Sequence, residues 1–157
     1  MTTAKQPAAH PLRSIDMRYL EGTVGYTIRR AQMAVFQNIY ECFGERSITL
    51  VQFSVLAVAA DNPGVTQSEL AEVLAVERPR MVPIINKLEE LGLAQRIVSE
   101  QDKRNRKIAL TPKGKSLLIE LKQRFAIHEK QLDAQLGKRK ADLLGNLQAL
   151  SQLGSKG

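Results

Sequence analysis

The middle of the chain, residues 49–111, is punctuated at intervals that favour a succession of short helices. Thr49 and Thr66 each stand three residues ahead of a Gln or Glu, which is the spacing of a capping box at a helix start. The Asn-Pro-Gly sequence at 62–64 ends the first of these helices. Pro79 suits the first turn of a third helix. The pattern therefore predicts three helices, the last two separated by a tight turn.

Two short strands follow the third helix. They are predicted over residues 93–98 and 107–111, with a charged and polar tip at 99–106 between them, which is typical of a β-hairpin with a projecting loop. Helix, tight turn, helix and charged hairpin, in this order, make up a winged helix-turn-helix. The second helix of such a pair can enter a major groove of DNA while its inner face stays on the core.

Long helices flank this middle segment. From Ile15 to about Phe43, apolar residues recur at every third or fourth position on two roughly opposite faces of one predicted helix. Two more helices are predicted, from Pro112 to about Gln135 and after Gly137, each with an apolar side. A helix with two apolar faces needs two partners, of which one can be a second copy of the chain. The predicted fold is mainly α with a small β-wing, a winged helix-turn-helix whose long flanking helices form a dimerisation region.

The chain of 157 residues is long enough to bury a core of its own. Residues 1–14 are predicted to be an N-terminal arm, 46–111 the DNA-binding lobe, and 15–45 with 112–157 the dimerisation helices. No run of about 18 apolar residues could span a membrane, and the first residues lack the apolar stretch of a signal peptide. The single cysteine cannot form an internal disulfide. These features predict a cytoplasmic protein without a membrane partner.

The positive charge is concentrated in one part of the chain. The whole chain has 23 Lys and Arg against 16 Asp and Glu, for a net charge of +7. Ten of the basic residues but only four of the acidic ones fall between Arg78 and Lys115. A local basic excess is the usual electrostatic footprint of a nucleic-acid-binding surface. A solvated charged face is the alternative explanation.

Candidate DNA contacts are predicted on three elements. Thr66, Gln67 and Ser68, at the start of the second helix, offer hydroxyl, amide and free backbone N–H groups that suit a phosphate. The outward face of the third helix carries donors for base edges and phosphates and apolar groups for thymine methyls. The basic residues of the hairpin tip can reach an adjacent minor groove. The candidates on these last two elements are Arg78, Arg80, Pro83, Asn86, Lys87, Lys103, Arg104 and Arg106.

The segment from Thr66 to Gly114 resembles the multiple-antibiotic-resistance repressor (MarR) family of bacterial winged-helix regulators. The matching motifs are Gln67-Ser68-Glu69-Leu70-Ala71, Leu88-Glu89-Glu90-Leu91-Gly92-Leu93, Arg96, Asp102-x-Arg104 and Leu110-Thr111-x-x-Gly114. With the flanking helices, the resemblance covers residues of about 15–153 and implies an obligate homodimer. It also implies that Arg104 enters the minor groove of DNA while Asp102 orients the wing.

Pro83 and the start of its helix depart from the family pattern, which often has a polar or basic residue at this place. A proline here removes one backbone hydrogen bond and should kink the third helix one turn after its start. Two explanations remain open. The helix can tolerate a distorted first turn, or the proline can change how the helix sits in the groove.

The resemblance further implies a small-molecule site between the first long helix and the DNA-binding lobe, for phenolic or aromatic carboxylates or their thioesters. Arg29 lies in an aromatic stripe, and an arginine among apolar groups needs an anionic partner. That partner is either a ligand or a protein carboxylate such as Glu45 or Asp61. His128 is either a lining residue or, as is usual for a lone helical histidine, a surface or packed residue. The candidate ligand contacts are Tyr26, Arg29, Phe36 and His128.

The sequence thus predicts a ligand-responsive transcriptional repressor that binds a pseudo-palindromic operator as a homodimer. An anionic aromatic inducer, such as an aromatic or phenolic acid or its CoA thioester, would release it, which would fit a role in aromatic acid catabolism. One alternative is a ligand-independent or architectural DNA-binding protein. Another is a thiol redox sensor acting through Cys42, although the peroxide sensors of this family carry their cysteine near the start of the first long helix.

No enzyme, metal site or cofactor is predicted. Two histidines and one cysteine do not make a metal site of any common type. The segment at 137–140 lacks the leading glycine and the following Ser or Thr of a phosphate-binding loop. No nucleophile-elbow motif occurs either.

Overall fold

The computed structural model describes residues 15–44, 48–98 and 106–153. Its helices and strands are, in chain order, α1 (Arg18–Glu21), α2 (Val24–Phe43), α3 (Leu50–Asp61), α4 (Gln67–Val73), α5 (Arg78–Glu90), β1 (Ala94–Val98), β2 (Arg106–Leu110), α6 (Pro112–Leu136), a 3-10 turn (Gly137–Arg139) and α7 (Lys140–Ser151). The chain divides into two compact units, and the boundary between them lies within α2, between Val35 and Phe36. The mostly helical structure with one small hairpin confirms the predicted fold class.

The first unit differs from its prediction, because the long helix expected from residue 15 is interrupted at Gly22 and Thr23. The Thr23 hydroxyl donates a hydrogen bond to the Leu20 carbonyl (2.8 Å). The Thr23 carbonyl accepts the backbone N–H of Thr27 (3.1 Å). One threonine therefore bonds to both flanking helices. The apolar spacing continues across the break, so periodicity alone could not reveal it.

Both predicted capping boxes form. At the start of α3, the Thr49 hydroxyl accepts the backbone N–H of Gln52 (3.3 Å), and the Gln52 side chain accepts the N–H of Thr49 (2.9 Å). Thr66 and Glu69 repeat this exchange at the start of α4. The pKa of the Glu69 carboxyl is lowered, because the backbone N–H of Thr66 and then its hydroxyl donate to the charged form.

The core of the second unit is built from one apolar face of each of several elements. α3 packs against α6 and β2, α4 packs against α5, and α5 packs against β1. The inner face of α5 is buried, as its helical spacing predicted, and its outer face is exposed. Fully buried apolar side chains of this core include Val55, Leu56, Leu70, Met81, Ile85, Leu88, Ile108 and Leu121.

Pro83 lies inside α5 without ending it. The helix runs without interruption from Arg78 to Glu90, with Pro79 in its first turn. The hydrogen bond that Pro83 cannot make would go to the carbonyl of Pro79, an exposed residue. The first explanation, tolerance near the helix start, therefore agrees with the structure. An effect of Pro83 on how the helix sits in a groove stays a prediction.

The hairpin has one more edge contact than the sequence predicted. β1 and β2 pair antiparallel, in a register that sets Ala94 opposite Leu110. The segment before α4 adds to the other side of β2, where the backbone N–H of Ile108 donates to the Val65 carbonyl (2.8 Å). This contact fixes the base of the hairpin beside the start of α4.

α6 begins at a close approach that requires glycine. The Thr111 hydroxyl donates to the Gly92 carbonyl (2.7 Å) and accepts the backbone N–H of Gly114 (3.0 Å). A Cβ atom at position 114 would lie 1.9 Å from the Leu93 carbonyl oxygen. The Leu-Thr-x-x-Gly motif is thus explained by the packing of α6 on the end of α5.

Candidate nucleic-acid interface

α5 presents to solvent the side chains that the sequence assigned to DNA. Because Met81, Ile85 and Leu88 anchor its inner face in the core, the opposite face is free to enter a groove. The predicted contacts on this helix are all exposed, namely Arg78, Arg80, Pro83, Asn86 and Lys87. Two arginines at the start of the helix and an amide in its second half give this face donors for both phosphates and base edges.

Lys87 carries an ion pair of its own. Its ammonium lies 2.9 Å from the Glu90 carboxylate, one turn further along α5. Both side chains are more than half exposed, and exposed pairs of this kind contribute little free energy. Lys87 can therefore exchange its partner for a phosphate at small cost.

The start of α4 has fewer free polar groups than the sequence predicted. The backbone N–H and hydroxyl of Thr66 donate to the Glu69 carboxylate (2.7 and 2.8 Å). The Gln67 side-chain oxygen accepts from both Nε and Nη2 of Arg96 (3.3 and 3.1 Å). The expectation that all these groups are open to a phosphate is thus corrected, because the capping box and the hairpin already bind several of them. Ser68 is exposed, as expected.

Arg96 is the residue to which the sequence assigned no role. From β1, its backbone N–H donates to Glu89 Oε1 (2.8 Å), and its guanidinium forms an ion pair with the other oxygen of the same carboxylate. Glu89 and Arg96 both belong to motifs that carry the family resemblance, and this was the only sign in the sequence that they have a role. The bond to Gln67 joins residues 29 positions apart, and no local spacing reveals it.

On the hairpin, Arg106 is exposed on β2. The predicted contacts Asp102, Lys103 and Arg104 lie outside the described residues, so their roles stay predictions. Beside the hairpin, the Lys113 ammonium donates to the Leu91 carbonyl (2.7 Å) and so satisfies an open carbonyl at the end of α5.

The predicted ligand contacts fall in both compact units. In the first unit, Arg29 is exposed and Tyr26 is half-buried. The Tyr26 hydroxyl accepts a hydrogen bond from the neighbouring Arg30 (3.4 Å). In the first unit, Arg29 is therefore open to solvent, and the Tyr26 hydroxyl already has a hydrogen-bond partner.

In the second unit, Phe36 is half-buried and His128 is only 2% exposed. His128 is hydrogen-bonded to Asn38 and packs against the Phe125 ring, with ring centroids 5.7 Å apart. Here it is a packed residue, which is one of the alternatives that the sequence left open.

The sequence offered two carboxylates, Asp61 and Glu45, as alternative partners of Arg29. The Asp61 carboxylate lies 3.6 Å from the ammonium of Lys122, with which it forms an ion pair. Glu45 lies outside the described residues.

The helix pair, the exposed face of α5 and the hairpin together define a winged-helix DNA-binding protein. The model of the MarR family matches residues 47–105. The chain is 31% identical over 152 residues to a candidate transcriptional regulatory protein for the hcr operon of Thauera aromatica, a match that covers 92% of this chain and 89% of that one. The chain belongs to the MarR family of transcriptional regulators, which confirms the resemblance.

Solved structures agree with this assignment. The transcriptional repressor CouR bound to a 23-mer DNA duplex is 35% identical and aligns with a TM-score of 0.80, covering 88% of this chain and 98% of that one. CouR bound to p-coumaroyl-CoA is 33% identical with a TM-score of 0.79, covering 92% and 100% of the two chains.

Two other kinds of site are absent from the part of the chain that the structure describes. None of the helices there combines the length and apolar character that crossing a bilayer requires. In the same part of the chain, no three His, Cys, Asp or Glu side chains come close enough together to hold a metal ion.

Proposed function

We propose that this protein is a repressor that binds a pseudo-palindromic DNA operator as a homodimer and leaves it when a small anionic aromatic ligand binds. The ligand would be an aromatic or phenolic acid or its CoA thioester. The observation that carries the DNA-binding part is the outer face of α5, which is exposed and has arginines at its start while its inner face is anchored in the core.

Each element has a distinct part in this proposal. In this proposal Asn86 reads an adenine, since an asparagine amide can form two hydrogen bonds to the N6 and N7 edge of that base. Arg78, Arg80 and Ser68 bind phosphates and fix the register of the helix in the major groove. The hairpin, with Arg106 and the basic tip at 103–104, follows the adjacent minor groove, whose narrow form attracts arginine.

The second copy of the chain is the proposed partner of the flanking helices, residues 15–45 and 112–157. α7 carries a row of leucines on one side of the helix, each between 37% and 49% exposed. A row of large apolar side chains in water is typical of an interaction surface. Its leucines are Leu143, Leu144, Leu147 and Leu150. A closed dimer would bury this row and present two copies of α5 to one face of the duplex.

The ligand class is supported by the CouR structure with p-coumaroyl-CoA, which is the thioester of an aromatic acid. Within the first unit, the ligand's anionic group binds the exposed Arg29, and Tyr26 contributes aromatic surface. Ligand contacts by Phe36 and His128, in the second unit, stay predictions. An inducer acts by binding the DNA-free dimer more tightly than the DNA-bound one, typically by about 1–3 kcal/mol.

The DNA-binding part is tested by selection from a random pool of duplexes. The wild-type protein should enrich one pseudo-palindromic sequence, called the selected duplex below. Asn86→Ala should weaken binding to it by about 1–3 kcal/mol, whereas Gln123→Ala, which removes an exposed amide on α6, should leave binding unchanged. Enrichment of no particular sequence would favour the architectural alternative instead.

The induction part is tested by titrating p-coumaroyl-CoA, p-coumaric acid and free CoA into the complex with the selected duplex. Release by an aromatic compound and its loss in Arg29→Ala, with DNA affinity retained, would support the proposal. Arg18→Ala, which removes another exposed arginine, should respond as wild type does. Release by peroxide alone, abolished in Cys42→Ser, would favour the redox alternative.

A further inference from the structure

Arg96 joins three elements of the candidate interface. It lies on β1, its guanidinium and backbone N–H both bind Glu89 near the end of α5, and its Nε and Nη2 bind the side-chain oxygen of Gln67 at the start of α4. Only 13% of the Arg96 side chain is exposed, and Glu89 is one-third exposed. The cluster is therefore largely shielded from solvent, and its geometry constrains the hairpin and both helices at once.

The chemistry of the guanidinium fixes the orientation of the Gln67 amide. Arginine has only hydrogen-bond donors, so the amide oxygen of Gln67 must face Arg96, as it does. The NH₂ group is then the part of the half-exposed amide that remains for an outside partner. A donor held at the start of α4 suits a phosphate oxygen, which accepts hydrogen bonds and offers none.

We propose that Arg96 is a positioning residue for operator recognition. It holds the hairpin, α4 and α5 in one arrangement and keeps the Gln67 amide turned so that its NH₂ group meets the DNA backbone. This inference rests on the proposed DNA-binding function. It assigns Arg96 no contact with DNA.

Lysine cannot replace arginine in this role. Arg96 binds acceptors on Glu89 and Gln67 through different nitrogen atoms of one rigid plane, whereas a lysine has a single nitrogen on a flexible stem. Arg96→Lys keeps the net charge of the protein, so long-range attraction to DNA is unchanged. Any loss of discrimination between DNA sequences would then come from geometry.

The experiment measures the dissociation constants for the selected duplex and for a scrambled duplex of the same length and composition. Arg96→Lys should bind the selected duplex at least about tenfold more weakly, which is 1.4 kcal/mol at 25 °C. Its affinity for the scrambled duplex should change by less than about twofold, because that binding depends on charge. The control Arg139→Lys, at an exposed arginine of the 3-10 turn, should keep both affinities.

A second variant keeps the inference testable if Arg96→Lys fails to fold. Gln67→Leu removes one acceptor of Arg96 and the proposed phosphate donor but leaves the ion pair with Glu89, and it should lower the affinity for the selected duplex by about fivefold or more. In a folded Arg96→Lys, equal losses for both duplexes or wild-type discrimination would overturn the inference, and so would an unchanged affinity of Gln67→Leu for the selected duplex. A wild-type protein that selects no duplex would instead overturn the proposed function.

Discussion

At the scale of single residues, the junction between the hairpin and α6 requires a residue without a Cβ atom, which is Gly114. Gly114 brings the first turn of α6 against the Leu93 carbonyl, and Thr111 bridges the same junction with its hydroxyl. This contact sets where α6 starts relative to the end of α5. The Leu110-Thr111-x-x-Gly114 motif of the family resemblance is therefore a packing constraint.

Gly114→Ala should therefore destabilise the fold, by at least about 1–3 kcal/mol as judged from overpacked sites. The added Cβ would lie 1.9 Å from a backbone oxygen, so the backbone itself must move. The unfolding free energy from urea denaturation measures the effect. Gly145→Ala is the matched control, since its Cβ would meet nothing within 4 Å and alanine favours helix by roughly 0.5–1 kcal/mol. Equal stability changes in the two variants would contradict this explanation.

The residue scale is also where sequence reasoning was least complete. The exposed donors of α5 were predicted, because helical spacing separates an inner from an outer face. The bond between Gln67 and Arg96 was not predicted, because it joins a helix to a strand through folding of the chain. The sequence assigned Thr66 and Gln67 to DNA, but in the folded chain their side chains also form hydrogen bonds within the protein.

At the scale of elements, the sequence was most informative where the signal is local. The local signals are the capping boxes, the proline in the first turn of α5 and the polar sequence between the strands, each of which spans only a few residues. The corresponding helices and strands begin within a residue or two of their predicted places. The break at Thr23 was missed, because it lies inside an unbroken apolar period. At this break the Thr23 hydroxyl bonds to the Leu20 carbonyl, a contact that the apolar spacing does not show.

The capping box of α4 predicts a pH dependence. The pKa of Glu69 is lowered in the folded protein by its hydrogen bonds from Thr66. Its stabilising effect is therefore complete above the pKa of a glutamate in the unfolded chain, about 4.3, and is lost as the pH falls through the lower pKa of the folded protein. The stability advantage of wild type over Glu69→Gln, measured by urea denaturation, should shrink between about pH 7 and about pH 3.5.

Glu72→Gln serves as the control for this pH dependence, because Glu72 lies on the same helix outside the capping box. The difference in unfolding free energy between Glu72→Gln and wild type should vary less over the same pH range. If the stability difference between wild type and Glu69→Gln stays constant with pH, the carboxylate charge does not stabilise the capping box.

At the scale of the whole molecule, the leucine row of α7 predicts how the chain assembles. If a second copy covers this row, sedimentation should give a dimer of about 35 kDa, twice the 17.5 kDa of one chain. Leu147→Glu places a charge in the row and should shift the protein toward monomer. Ala149→Glu, on the opposite side of α7, should not. A wild-type monomer that binds the selected duplex tightly would contradict the dimer.

In the proposed dimer, two copies of α5 read two half-sites on one face of the duplex. The most direct test inserts about five base pairs, half a helical turn, between the halves of the selected duplex and measures its dissociation constant. We expect a loss of affinity of at least about a hundredfold, because the second half-site turns away from its recognition helix. Equal affinity for the original and the lengthened duplex would contradict it.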